Sequence, residues 1–180
     1  MKESLALVDE NDQMYGTMDK LAVHQKGLLH RALSVFIFNT NGELLLQQRA
    51  WGKYHSEGLW SNTCCSHPRP GENIMDAANR RLQEEMGLDT ELSYAFHFIY
   101  RADMGNGFTE HEYDHVFIGV SDEAPIPDPE EAADFKYMSM EVLEKELQEH
   151  PDKYSKWLNI CYQQVLNHHT KLFNYEPMVD

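Results

Sequence analysis

Residues 59–88, LWSNTCCSHPRPGENIMDAANRRLQEEMGL, decide how the rest of the chain is read. The second half predicts a helix. Asn73 is an N-cap with Asp76 three residues on, Ile74, Ala78, Leu82 and Met86 form an apolar stripe at i, i+4 spacing, and Gly87 closes the run. Arg80 and Glu84, like Arg81 and Glu85, share a face beside that stripe. Taken singly, such pairs read as solvated ion pairs of little worth. The first half predicts a short strand over 59–65 entering the loop SHPRPGEN, with Cys64, Cys65 and His67 just ahead of the helix charges. Side chains of neighbouring strand residues project to opposite faces, so only one of the two cysteines can face a given site.

Outward from this stretch, ALSVFIFN and ELLLQQR flank TNG, and Asn-Gly between apolar runs predicts a hairpin. ELSYAFHFIYRA and TEHEYDHVFIGV read as two further strands about DMGNG. EAPIPDPEE is a proline-rich loop, and the tail from about Glu141 is helical, with Pro151 dividing it into two segments. No repeat or linker marks a second domain, so one domain over 1–180 is expected. Its class is α+β: a mixed sheet with one central helix and a helical C-terminal segment.

Fifteen basic against thirty acidic residues leave a formal net charge of -15, which argues against nonspecific binding to nucleic acid or an anionic membrane. A small anionic ligand would need cations or metal gathered locally inside this repelling field. No apolar run is long enough to span a bilayer, and MKESLALVDENDQ is acidic where a targeting peptide would be basic, so a cytoplasmic protein is expected. Cys64, Cys65 and Cys161 are odd in number and form no disulfide framework; free thiols in a reducing compartment fit.

Read back from Gly87-Leu88, Glu72, Arg80, Leu82, Glu84 and Glu85 fall where the Nudix signature G-x5-E-x7-R-E-U-x-E-E-x-G-U places its residues, U being a bulky aliphatic. The match breaks twice: Ser66 stands at the first Gly, and Arg81 replaces the Glu that follows the Arg. With TCCSHP ahead of this altered box and EHEYD downstream, the chain resembles the type 1 isopentenyl diphosphate:dimethylallyl diphosphate isomerases from about Lys20 to Trp157. That resemblance implies a Nudix-like fold and an isoprenoid diphosphate substrate, acting as a monomer or homodimer. A Nudix pyrophosphohydrolase acting on a nucleoside diphosphate derivative is the alternative.

Glu110 and Glu112 alternate along a strand and so share a side, while His111 faces away. The resemblance implies that both glutamates close around one metal with His24, His30 and His67. Such a nitrogen and oxygen set suits a metal such as Mn2+ or Zn2+ better than Ca2+. It also implies a Mg2+ held by Glu85 against the diphosphate, and phosphate contacts from Lys20, Arg49, Lys53, Ser66 and Arg81. Moving a double bond by one carbon needs an acid, a base and something that stabilises positive charge without attacking it. By the same resemblance Cys65, Glu112, Tyr100 and Trp157 meet that need, the Trp through its π face, and Cys64 packs in the core.

Overall fold

Strand alternation in one central run fixes the layers. In the computed structural model, which describes residues 3–173, the chain forms β1 (Ser4–Val8), β2 (Met14–Asp19), α1 (Lys20–Lys26), β3 (His30–Phe38), β4 (Leu44–Arg49), β5 (Trp60–Ser61), β6 (Cys64–Ser66), α2 (Ile74–Met86), β7 (Leu92–Gly105), β8 (Phe108–Val120), β9 (Ala132–Met138), α3 (Met140–Glu149), a 3-10 turn (Pro151–Lys153) and α4 (Lys156–Phe173). On β3, Leu33, Val35 and Ile37 pack with Ala78, Leu82 and Met86 of α2, whereas Phe36 and Phe38 pack with Leu143, Leu158 and Val165 of α3 and α4. The sheet is therefore sandwiched between α2 and the C-terminal helices, the expected α+β arrangement.

Helix α2 begins and ends as its sequence predicts. Asn73 accepts hydrogen bonds from the backbone of Met75 and Asp76, and Gly87 takes a left-handed conformation at φ 65°. A side chain there would also meet the Ile126 carbonyl at 2.8 Å, so glycine is required twice over. The β7–β8 hairpin turns at Asn106-Gly107, both at positive φ. The proline-divided helical tail is present as well.

The predicted β3–β4 hairpin is real at its turn but opens at once: Phe38 and Leu44 are the one paired couple. The predicted strand over 59–65 explains why, because it splits into β5, which pairs with β4, and β6, which pairs with β3. Asn62 and Thr63, at the split, wedge the two long strands apart and replace their ladder with side-chain bonds. Asn62 donates to the Val35 carbonyl, Thr63 Oγ1 accepts from the Ile37 amide, and it donates in turn to the Leu45 carbonyl at 2.6 Å.

Beyond the wedge β3 runs parallel to β8, with His30 opposite Glu112, and β7 sets Tyr100 opposite the same Glu112. Four elements, β1, β2, α1 and β9, lie outside the runs that periodicity identifies. The β1–β2 hairpin and α1 share their own small core of Leu5, Leu7 and Val23, and β9 pairs with β4 along its full length.

Candidate active site

Four parts of the chain bring the histidines and carboxylates together. His24 lies in α1, His30 opens β3, His67 follows β6, and Glu110 and Glu112 sit on one side of β8. One ligand atom from each of these five residues lies within 4.8 Å of all the others. Their tautomers are set from behind. His24 Nδ1 donates to the Lys20 carbonyl at 2.6 Å and His30 Nδ1 to the Leu28 carbonyl at 2.9 Å, which leaves each Nε2 with a lone pair facing the cluster. Glu110 Oε2 is 3.1 Å from His24 Nε2 and 3.8 Å from His30 Nε2. Buried lone pairs aimed at one another repel unless a cation lies among them. His30 Nε2 and Glu110 Oε2 are indeed buried without hydrogen-bond partners, so the donor set fits a divalent metal.

Electrostatics agree. Burial pushes His67 down to about 4, so its ring is neutral. Burial alone would raise Glu110 and Glu112, yet the histidines that face them hold both below the usual carboxylate range. His24 is held above its usual value despite burial, because Glu110 faces it. Tyr100 donates to Glu112 Oε2 at 2.7 Å. His111, as alternation predicts, turns away to the Gly27 carbonyl.

The wedge places the thiols. Cys64 is fully buried beneath α2, while Cys65 points into a cavity of about 510 Å³ that Tyr100, Glu112 and Trp157 also line. Burial pushes the Cys65 thiol up to about 12, so it carries its proton at neutral pH. It donates to Asn62 Oδ1 at 2.8 Å and accepts from Trp157 Nε1 at 2.9 Å. Trp157 thus has its N–H committed to the thiol and to Asn62, with the Arg49 guanidinium 5.2 Å from its ring centroid.

Cations line the cavity as well. Lys20, Arg49, Lys53, Ser66 and Arg81 all line the same cavity. Lys20 pairs with Glu3 at 2.9 Å and Lys53 with Glu131 at 2.5 Å. Arg81 reaches Glu84 at 2.6 Å, Glu85 at 2.7 Å and Glu131 at 3.2 Å. Arg49 donates to the backbone carbonyls of Ser56 and His55. Glu85 stands apart from the histidine cluster, buried and raised by that burial, with Gln47 donating to its second oxygen.

The comparisons with known proteins follow this geometry. A NUDIX domain is matched over residues 28–158. The chain is 52% identical over 167 residues to isopentenyl-diphosphate Delta-isomerase 2 of Aromatoleum aromaticum, covering 93% of this chain and 88% of that one. It is 47% identical to the isopentenyl-diphosphate Delta-isomerase of Pectobacterium atrosepticum, covering 89% and 90%. The chain belongs to the isopentenyl-diphosphate Delta-isomerases of the Nudix family. The crystal structure of DR0079 from Deinococcus radiodurans shares the fold with a TM-score of 0.76 at 18% identity, over 90% of this chain and 98% of that one.

Within the Nudix frame the two departures from the signature touch each other: Arg81 Nε donates to Ser66 Oγ at 2.7 Å. The retained Glu72 and Arg80 form a two-pronged ion pair, both contacts at 2.7 Å, that ties the SHPRPGEN loop to α2. All fourteen predicted site residues lie on this one cavity or in the cluster at its wall. Sequence reasoning missed Asn62, His55, Glu131 and Glu3. The first is legible in hindsight, since a polar residue in a short buried strand needs partners; the other three come from loops and the N-terminal segment and carry no periodic signal.

Proposed function

We propose that this chain interconverts isopentenyl and dimethylallyl diphosphate through a tertiary carbocation, as one domain over 1–180, alone or as a homodimer, in the cytoplasm. No helix among the described residues is long and apolar enough to cross a membrane. The observation that carries the reading is the placement, on one cavity, of a thiol held protonated and a carboxylate held ionised, Cys65 and Glu112. Between them the two groups give one proton to the terminal methylene carbon and take one from the carbon adjacent to C1. The alkene pair forms the new C–H bond, and the pair from the broken C–H bond becomes the new double bond. Run in reverse, acid and base exchange roles.

Tyr100 holds Glu112 by its hydrogen bond, and Trp157 fixes the thiol and presents its ring to the developing cation. The cationic wall takes the diphosphate, with Arg81 where a hydrolase would carry a glutamate. His24, His30, His67, Glu110 and Glu112 would hold Mn2+ or Zn2+, which when bound supplies a fixed positive charge between the two carboxylates. Mg2+, arriving with the diphosphate, would be held through Glu85. The test is isopentenyl diphosphate supplied with Mg2+ and Mn2+ and followed by NMR. Dimethylallyl diphosphate should appear with the diphosphate intact. Released phosphate without isomer would overturn the reading in favour of the pyrophosphohydrolase.

A further inference from the structure

His55 is 6% exposed, lines the cavity and stands outside the five-residue cluster. Its Nε2 lies 2.7 Å from Glu110 Oε1, a shorter contact than any of the five makes within the cluster. Its Nδ1 is 3.1 Å from Ser56 Oγ. A carboxylate that serves as a metal ligand is ionised and its oxygens can only accept, so Nε2 carries the proton and Nδ1 accepts from the serine. The backbone that presents the ring is itself fixed. Arg49 grips the carbonyls of His55 and Ser56, and Ser56 takes a left-handed φ of 54°.

The consequence falls on Glu110. The final torsion of a glutamate is broad and roughly two-fold, so nothing intrinsic decides which oxygen faces the histidines. With Oε1 engaged by His55, Oε2 is left facing His24 and His30 without a hydrogen-bond partner of its own. We infer that His55 is a positioning residue for the metal centre, donating to Glu110 Oε1 so that Glu110 meets a metal through Oε2 alone. The inference rests on the metal-centre reading above. It differs from a packing role, for which the ring also has candidates in Tyr54 at 4.5 Å and Trp157 at 6.5 Å between centroids.

Two substitutions separate donor from ring. His55→Phe keeps the ring and removes the donor, and His55→Gln removes the ring while its amide nitrogen reaches the Nε2 position. Mn2+ and Zn2+ affinity is measured by competition with a chromophoric chelator, beside thermal melts of the metal-free proteins. His55→Phe should weaken binding by about 10- to 100-fold, the usual effect of losing a hydrogen bond behind a metal ligand, and His55→Gln should recover most of it. Wild-type affinity in His55→Phe overturns the inference. So does a His55→Gln protein as weak as His55→Phe when both melt like wild type, since packing would then be the cause. Should His55→Phe not fold, His55→Asn replaces it, because its amide stops short of Glu110; equal affinities for Asn and Gln overturn the proposal. A wild-type protein that binds no metal removes the metal-centre reading, and this inference with it.

Discussion

The two walls of the cavity handle charge in opposite ways. On the histidine side, two buried atoms of the cluster have no hydrogen-bond partner, His30 Nε2 and Glu110 Oε2. On the cationic side Lys20, Lys53 and Arg81 are each engaged by acids of the same chain, Glu3, Glu131, Glu84 and Glu85. The first wall leaves donor atoms unpaired, whereas the second is neutralised by itself and must exchange partners to bind an anion. Removing an acid should therefore have opposite signs on the two walls. This also resolves the charge problem of a chain at -15, since the cations are kept together by local acids rather than by a basic surface.

The largest effects are expected at the proposed acid and base. Cys65→Ala and Glu112→Gln should each lower kcat by about 10²- to 10⁴-fold, the range for losing a positioned acid or base, with the fold intact by circular dichroism. Cys64→Ala should keep most activity, its thiol being buried under α2. Equal losses from the two cysteine variants, both folded, would remove the assignment. The protonation state has a separate readout. With Cys65 pushed up to about 12, its alkylation by iodoacetamide should be slow at pH 7 and climb about tenfold per pH unit up to that value, because the thiolate is the nucleophile.

Next comes the cationic wall, where the loss should appear in KM. Arg81→Ala removes bonds from a guanidinium to a diphosphate, each charge-assisted bond being worth about 1.5–3 kcal/mol, so KM should rise by about 10- to 100-fold. It also strips the buried Glu85 of its counter-ion, and the melting temperature should fall with it. A drop confined to kcat would place Arg81 in the chemistry instead and erase the contrast between the walls.

Trp157 tests the border between them. Phe keeps some π density but lacks the N–H that reaches Cys65 and Asn62, while Leu keeps only apolar bulk. A desolvated cation–π contact of about 1–2 kcal/mol puts Trp157→Phe about 5- to 30-fold above Trp157→Leu in turnover per folded molecule. Equal rates after correction by thermal melts would leave this residue as packing in α4 and a holder of the thiol.

How much of this was legible follows from which interactions are local. The helix over 74–86 and the strand pair ending in EHEYD show in the sequence because caps, stripes and alternation repeat over a few residues, and they carry Arg81, Glu85, Glu110 and Glu112. The wedge of Asn62 and Thr63 shows no such period, because it works through side-chain bonds to strands that are distant along the chain. That is why 59–65 reads as one strand and folds as two. His55, Glu131 and Glu3 escape for the same reason: each matters through contacts with residues distant along the chain. The roles of His24 and His30 came from resemblance, since α1 is seven residues long and offers little pattern of its own.

The smallest expected effect is the one that tests the sign. Glu3 pairs with Lys20 at the cavity mouth, the two side chains being 54% and 29% exposed, so the pair is worth at most about 1 kcal/mol. If Glu3 acts as an internal counter-ion that the diphosphate must displace, Glu3→Gln frees Lys20 and should lower KM by up to about fivefold, most clearly at low ionic strength where exposed charges are least screened. If Glu3 instead aims Lys20 at the ligand, the same substitution should raise KM. The backbone bond from the Lys20 amide to the Glu3 carbonyl survives in either case, so the segment stays in place and the change reads out the carboxylate alone. On the histidine side the matching substitution, Glu110→Gln, should weaken the proposed metal binding. A Glu3→Gln protein with raised KM would mean that both walls use their acids as positioning groups, and the difference between them would be one of burial only.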